Sequence, residues 1–535
     1  MENSVTSRLY KTDSTYQMPN KRGNTLFFIV MFTTALISIP LLVMAGANVG
    51  YNTILMGIVV IVAVIAIMLS PIVGFYIVAL SALIIEEEPI FTPIGTDRVN
   101  IFYWPSAYAG LIERPIGFLI LFVFFVIIYR RFTSRQPLLE GGALLIPFLL
   151  FLLCLAIGIA HGITTGGDFK IIVLEVRPFW YTFVSYLLAY NLITHKAHVR
   201  LLFWFVILGA AFKGIQGVYI YLGVLHGQLA GHREIMAHEE SFFFVALLLL
   251  IILFCLHSRY WPQFYATLLA TPCVVIALVA NQRRADYIAL IAGLGVAWTL
   301  IFLCKPRART RLLVLLLVTC TLGGAYVAAF ANSQTGFGAP ARSIVSVFYP
   351  SPQDASSNLY RQIEDADLKY TVKQNPLLGM GFGKQFLQPT ILPNIIQDDP
   401  YYLYIPHNTI YWVWMRLGPF GFLIFWYLIG ALIVRGTITT RQLKDPYLQL
   451  VAIYIISVTF MEIIVAYADY QLFFYRNVIY FGILAGVLMR LPSIDQQESQ
   501  SIRTTPTQDS FTTKSEITHA SANGNSQPTT SGRRS

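Results

Sequence analysis

Fourteen apolar runs decide what this chain can fold into. They fall at about 26–46, 51–70, 71–85, 115–129, 143–161, 172–193, 201–225, 241–257, 263–280, 287–304, 312–331, 409–434, 447–468 and 476–489. A helix needs about 20 apolar residues to cross a bilayer. In lipid each backbone N–H and C=O must be satisfied within the protein, so continuous apolar runs of this length become helices. Of the 535 residues, 56% are hydrophobic and 12% charged, whereas a soluble domain carries about 25% charged residues. The expected fold class is therefore all-α, a polytopic integral membrane protein of about 14 transmembrane helices. A water-soluble enzyme is excluded. The formal charge of +10 would point to nucleic acid in a soluble chain; here it fits basic cytoplasmic loops, and no nucleic-acid partner is expected.

Orientation follows from the basic residues. With the N-terminus inside, short cytoplasmic loops hold 17 Lys and Arg and short outer loops hold 7, which puts both termini in the cytoplasm. The first run follows Lys21-Arg22 and ends near Ala45-Gly46-Ala47, like a signal-peptidase site. It is longer than the roughly 7–15 residues of a signal sequence's apolar core, so it reads as a retained first helix. The expected organisation is a cytoplasmic segment 1–25, transmembrane helices 1–11 over 26–331, a large extracytoplasmic loop 332–408, helices 12–14 over 409–489, and a disordered cytoplasmic tail 490–535 rich in Ser, Thr, Gln and Asn. Within the loop, an amphipathic helix is expected from Ser357 to Lys373, stopped by Asn375-Pro376. The five cysteines (Cys154, Cys255, Cys273, Cys304 and Cys320) all lie in apolar runs without a CxxC pair, and support neither a disulfide framework nor a metal site.

Candidate chemistry concentrates where the long loop meets the twelfth span. Pro406-His407-Asn408 is followed by nine residues and then Gly418-Pro419-Phe420-Gly421. A helix start offers free N–H groups and a partial positive charge, which favour a bound anion. The same dipole disfavours imidazolium and keeps a histidine able to accept a proton. Asn408 is suited to cap the helix. Taken alone, His407 also fits a polar interfacial residue at the head of a span.

The His-Asn-x9-Gly-x-x-Gly pattern resembles the histidine motif of the O-antigen ligase and O-antigen polymerase superfamily, which includes bacterial protein O-oligosaccharyltransferases. Arg361, followed by Asn375-Pro376-Leu377-Leu378-Gly379-Met380-Gly381, is similar to the family's loop arginine and Pro-x-x-Gly-x-Gly turn. Asn281-Gln282-Arg283-Arg284-Ala285-Asp286-Tyr287 resembles its arginine motif at an outer helix end, with spacing to Tyr287 favouring Arg284 over Arg283. Gly231-His232-Arg233 is similar to a further family arginine, although His238-Glu239-Glu240 stands where an Asn often follows. The likeness covers roughly residues 170–435.

The resemblance implies a metal-independent glycosyltransferase without cofactor. It would act on the extracytoplasmic face of the cytoplasmic (inner) membrane, moving a glycan from an undecaprenyl-diphosphate-type lipid donor to a glycan or lipid-anchored acceptor. Fixed guanidinium groups suit the charge that develops on a departing diphosphate, and a neutral histidine suits an acceptor hydroxyl. This assigns His407 as base or acceptor-positioning residue, Arg284 and Arg361 as diphosphate binders, and Arg233, Arg283, Asn408 and Tyr404 as substrate-binding residues. Bland readings stand beside these. Arg361 and Asp365 fit a solvated helical pair, Arg283 and Arg284 fit headgroup snorkelling, and Tyr401, Tyr402 and Tyr404 fit interfacial anchoring as well as sugar stacking. Of the remaining charges, Arg416 and Glu462 lie at similar depth and are expected to pair. Lys213 sits near mid-membrane without an evident partner. Glu86-Glu87-Glu88 and Asp398-Asp399 read as solvated loop rather than metal ligands. A polysaccharide flippase or transporter is the alternative from another class, and transfer to protein the alternative within this one.

Overall fold

A computed structural model describes residues 61–504 apart from 92–95, 97–100, 104–112, 230–233, 258–259, 334–337, 347, 351 and 396–399. Helical residues 61–69 precede α1 (Pro71–Ile84), α2 (Pro115–Thr133), α3 (Leu145–Thr164), α4 (Phe169–Leu192), α5 (Lys196–Val218), α6 (His238–Leu256) and α7 (Trp261–Asn281). There follow α8 (Arg284–Cys304), α9 (Arg309–Phe330), α10 (Ala339–Val345), α11 (Pro352–Gln374), α12 (Thr409–Gln442), α13 (Pro446–Ala468) and α14 (Tyr475–Thr504). Among the described residues, 11 of these helices are long and apolar enough to cross a membrane, and α1 is a shorter apolar helix. The protein is a polytopic all-helical membrane protein. The first apolar run lies outside the described residues, as does the first half of the second.

Local signals set the helix starts. Asp168 accepts the N–H groups of Lys170 and Ile171 at the head of α4, and Asp445 those of Tyr447 and Leu448 at the head of α13. The most extensive pairings are α4 with α14, α5 with α7 and α8 with α13. Small residues make the first of these possible: a Cβ on Gly482 would lie 2.3 Å from the Thr182 carbonyl, and one on Gly486 2.5 Å from that of Tyr186. By contrast α9 buries only Leu312 and presents its apolar surface outward, as a helix at the lipid-facing margin does.

Two expectations about the ends of elements are corrected. The last helix does not stop at 489 but runs through Thr504. Leu491 and Ile494 are buried there, and the Asp495 carboxylate accepts the N–H groups of Lys444 and Asp445 at 3.0 and 2.9 Å, which anchors the added turns to the α12–α13 connection. Residues 505–535 of the expected tail lie outside the described residues. In the long loop, α11 begins at Pro352, five residues before the expected Ser357, and ends at Gln374 ahead of Asn375-Pro376.

Buried charges tie the loop-side ends of the helices together. Lys213 pairs with Glu86 and, at 3.3 Å, with Glu240, and it donates to Gln216 at 2.6 Å. Arg476 pairs with Glu240 and, at 3.1 Å, with Glu239, while its backbone N–H donates to Glu87 at 2.8 Å. Glu86 and Glu87 are thus buried partners in a network rather than solvated loop. Arg416 does not pair with Glu462 either. Its partner is Glu175 on α4, at 2.5 Å with both side chains fully buried.

Candidate active site

The site forms at the loop-side end, where α8, α11, α12 and the segment after α13 converge. Asn408 caps α12 by accepting the Tyr411 N–H at 3.1 Å, and its amide donates to Asp365 on α11 at 3.0 Å. This joins the helix that follows His407 to the loop helix. His407 is one-fifth exposed. The buried Glu364 carboxylate accepts its backbone N–H at 3.1 Å and lies 3.2 Å from its Nδ1. Tyr360 and Tyr470 present their rings to the imidazole at centroid distances of 5.6 and 5.7 Å, at steep angles of 77° and 66°. One face of α11 therefore carries Tyr360, Arg361 and Glu364 toward the start of α12.

The arginine motif forms the turn from α7 to α8. Gln282 takes a left-handed conformation with φ 53°, which reverses the chain after α7. Asn281 accepts the N–H groups of Ile235 and Met236 at 3.0 and 2.9 Å and donates to Ser241 at 2.8 Å. Arg283 is engaged by two carboxylates: it donates to Glu234 at 2.8 Å and pairs with Asp469. His238 lies 3.0 Å from Glu234 and 3.4 Å from Asp469. Burial alone would raise the Asp469 carboxyl, but Arg283 and His238 hold it well below the usual carboxylate range. Arg284 instead reaches across to α11, donating to Asn358 at 3.2 Å. Burial, against the pull of Asp469 and together with the nearby Arg283 and Arg284, pushes the Arg361 guanidinium below its ordinary value. An arginine so placed stays charged, so three guanidinium groups share one small region beside His407.

The glycines of the two loop motifs fit one another. Gly418 has φ 65° and ψ −173°, a conformation that is essentially glycine's alone, and it breaks α12 ahead of Pro419. Proline lacks the N–H that would bond the carbonyl of Met415. That carbonyl accepts the Met380 N–H at 2.8 Å, and the Arg416 carbonyl accepts the Gly381 N–H at 3.2 Å. The Pro-x-x-Gly-x-Gly turn thus supplies donors that the broken helix lacks. The Glu175–Arg416 pair secures the joint from below: Glu175 accepts the Gly383 N–H at 2.6 Å, and Arg416 donates to the carbonyls of Gly381 and Tyr404 at 3.1 and 2.9 Å. Tyr404 belongs to this joint, its hydroxyl 3.4 Å from the Gln385 amide and its carbonyl accepting from Trp412 at 3.2 Å.

Residues 244–426 match the family model described as O-antigen ligase. The match runs from α6 into α12, takes in Arg283, Arg284, Arg361 and His407, and supports a place for the chain in the O-antigen ligase and polymerase superfamily. Glycan transfer at a membrane is the activity that this family indicates. No curated protein matches the chain. Of the residues singled out in the sequence, the structure gathers His407, Asn408, Arg283, Arg284 and Arg361 and sets Tyr404 at the glycine joint; Arg233, Asp398 and Asp399 lie outside the described residues. Sequence reasoning missed Glu364, Glu234 and Asp469. Glu364 had one available signal, since it falls on the Arg361 face of an amphipathic helix. Among the described residues, no group of three or more His, Cys, Asp or Glu is placed to hold a metal ion.

Proposed function

We propose that the protein transfers a glycan from an undecaprenyl-diphosphate-type lipid to an acceptor at the extracytoplasmic face of the cytoplasmic membrane. The observation that carries this reading is the convergence of Arg283, Arg284 and Arg361 with His407, drawn from the α7–α8 turn, α11 and the head of α12. Arg284 and Arg361 bind the diphosphate. Arg283, already engaged by Glu234 and Asp469, holds the frame and adds to the local positive potential, with Arg233 a further contact. The acceptor hydroxyl oxygen attacks the anomeric carbon while its proton passes to His407. The bond from that carbon to the diphosphate oxygen breaks, and its electron pair leaves with the lipid diphosphate, whose charge the guanidinium groups stabilise. The chemistry needs no metal and no cofactor.

The acceptor is either a second glycan, which makes the protein a polymerase, or a lipid-anchored core, which makes it a ligase. Transfer to protein and glycan transport are the competing activities. The deciding experiment incubates purified protein with the lipid-diphosphate-linked glycan pool extracted from cells that lack it, with and without candidate acceptors, and separates the products by size. A ladder identifies a polymerase and one defined adduct a ligase or protein transferase. Unchanged glycan with every acceptor would overturn the transferase reading in favour of transport.

A further inference from the structure

We infer that Glu364 is the positioning residue of His407: it fixes the imidazole tautomer so that Nε2 faces the acceptor as a bare lone pair. The inference rests on the reading of His407 as the group that takes the acceptor's proton. Three observations carry it. The carboxylate is buried, at 1% exposure, so its contacts are not shared with bulk water. It engages His407 twice, at the backbone N–H through Oε2 (3.1 Å) and at Nδ1 through Oε1 (3.2 Å). The rings of Tyr360 and Tyr470 flank the imidazole and hold its plane. An ionised carboxylate only accepts hydrogen bonds. Nδ1 therefore carries the proton, and Nε2 is left as the acceptor. When Nε2 takes up the acceptor's proton, the resulting imidazolium keeps the Glu364 carboxylate against Nδ1–H, which stabilises the charge formed in the transition state.

The placement also joins the two halves of the reaction. Glu364 follows Arg361 by three residues on α11, so both lie on one face. The same helix thereby presents an arginine to the leaving group and the orienting carboxylate to the base.

Glu364→Gln is the informative variant. An amide offers one oxygen and one NH₂ where the carboxylate offers two oxygens, so the bonds that the two Glu364 oxygens make separately to the backbone N–H and to Nδ1 cannot both be kept in place. With its oxygen kept on the backbone N–H, its NH₂ faces Nδ1, which must then accept, and the ring proton moves to Nε2. The expected result is a loss of about 10²–10⁴-fold in kcat, the range for a lost general base, with the KM for the extracted lipid-diphosphate-linked glycan changed by less than about twofold. Glu364→Asp keeps the charge and recovers part of the rate. The double variant His407→Ala/Glu364→Gln should be no slower than His407→Ala alone.

Wild-type kcat in Glu364→Gln would overturn the inference, as would losses in the double variant that multiply. Equal loss of donor affinity in the Gln and Asp variants would reduce Glu364 to a structural part of α11. The parent reading fails on a different result, full turnover in His407→Ala itself. If Glu364→Gln does not fold, Glu364→Asp decides: its loss of kcat should appear when His407 is present and vanish in the His407→Ala background, and an equal loss in both backgrounds would overturn the inference.

Discussion

Gly418→Ala should destabilise the protein although it adds a single methyl group. At φ 65° and ψ −173°, an alanine would carry about 1–3 kcal/mol of backbone strain. Its Cβ would stand 2.4 Å from the Leu377 carbonyl oxygen and 2.8 Å from the Gly379 nitrogen. Both are backbone atoms of the glycine turn, so neither swings aside as a side chain would. Relieving the clash separates the turn from α12 and breaks the bonds from the Met380 and Gly381 N–H groups to the carbonyls of Met415 and Arg416. Each such bond contributes about 0.5–1.5 kcal/mol net, so the expected total is about 2–6 kcal/mol. Gly430, on the same helix, is the internal control. A Cβ there meets nothing within 4 Å, and Gly430→Ala should be neutral or stabilising by up to about 1 kcal/mol. Unfolding by increasing SDS in mixed micelles, followed by tryptophan fluorescence, reads both variants. A Gly418→Ala midpoint equal to that of wild type or of Gly430→Ala would refute the argument that the two glycine motifs lock together.

Three further outcomes follow from the same structure. Arg416→Met strands the fully buried Glu175 carboxylate and should lower stability by about 3–5 kcal/mol in the same SDS assay, whereas adding Glu175→Gln should recover most of that loss; a double variant as unstable as the single one would contradict the pairing. Arg283→Ala should unfold earlier, because Glu234 and Asp469 lose their shared cation, while Arg284→Ala should unfold normally and bind the extracted donor at least about tenfold more weakly, with poor rescue by lysine, which lacks the planar fork. In a variant free of its five native cysteines, a cysteine at Ser356 should react with an impermeant thiol reagent in intact cells or spheroplasts and one at Ser510 should not; the reverse pattern would move His407 to the cytoplasm.

The parts of the fold readable in advance are those set by short-range rules. Apolar runs gave α1 and the 11 membrane-length helices, Asn375-Pro376 gave the end of α11, and Asn408 gave the head of α12, while the short α10 was not foreseen. The partners of the charges were not readable, because they depend on which helices pack together. Arg416 and Glu462 share a depth, but so do other pairs, and Arg416 meets Glu175 only because α4 lies beside α12. Glu86 and Glu87 look like a hydrophilic loop until Arg476, 389 positions beyond Glu87, donates its backbone N–H to that carboxylate. The first residues of the tail, 490–504, were misjudged by composition, since a few buried residues such as Leu491 and Ile494 suffice to extend a helix already anchored by the bundle. In the candidate site, the arginines and His407 stand in recognisable local motifs. Asp469 belongs to none and meets Arg283 from 186 residues away.

The central claim, that His407 acts on the acceptor while the arginines hold the donor, is tested most directly by measuring donor binding and turnover separately in His407→Ala. Binding of the extracted lipid-diphosphate-linked glycan should stay close to wild type, and turnover at saturating acceptor should fall by about 10²–10⁴-fold. Arg361→Ala, measured alongside, should lose both. Near-wild-type turnover in His407→Ala would contradict the account, and a loss of donor affinity equal to that of Arg361→Ala would place His407 in the diphosphate site instead.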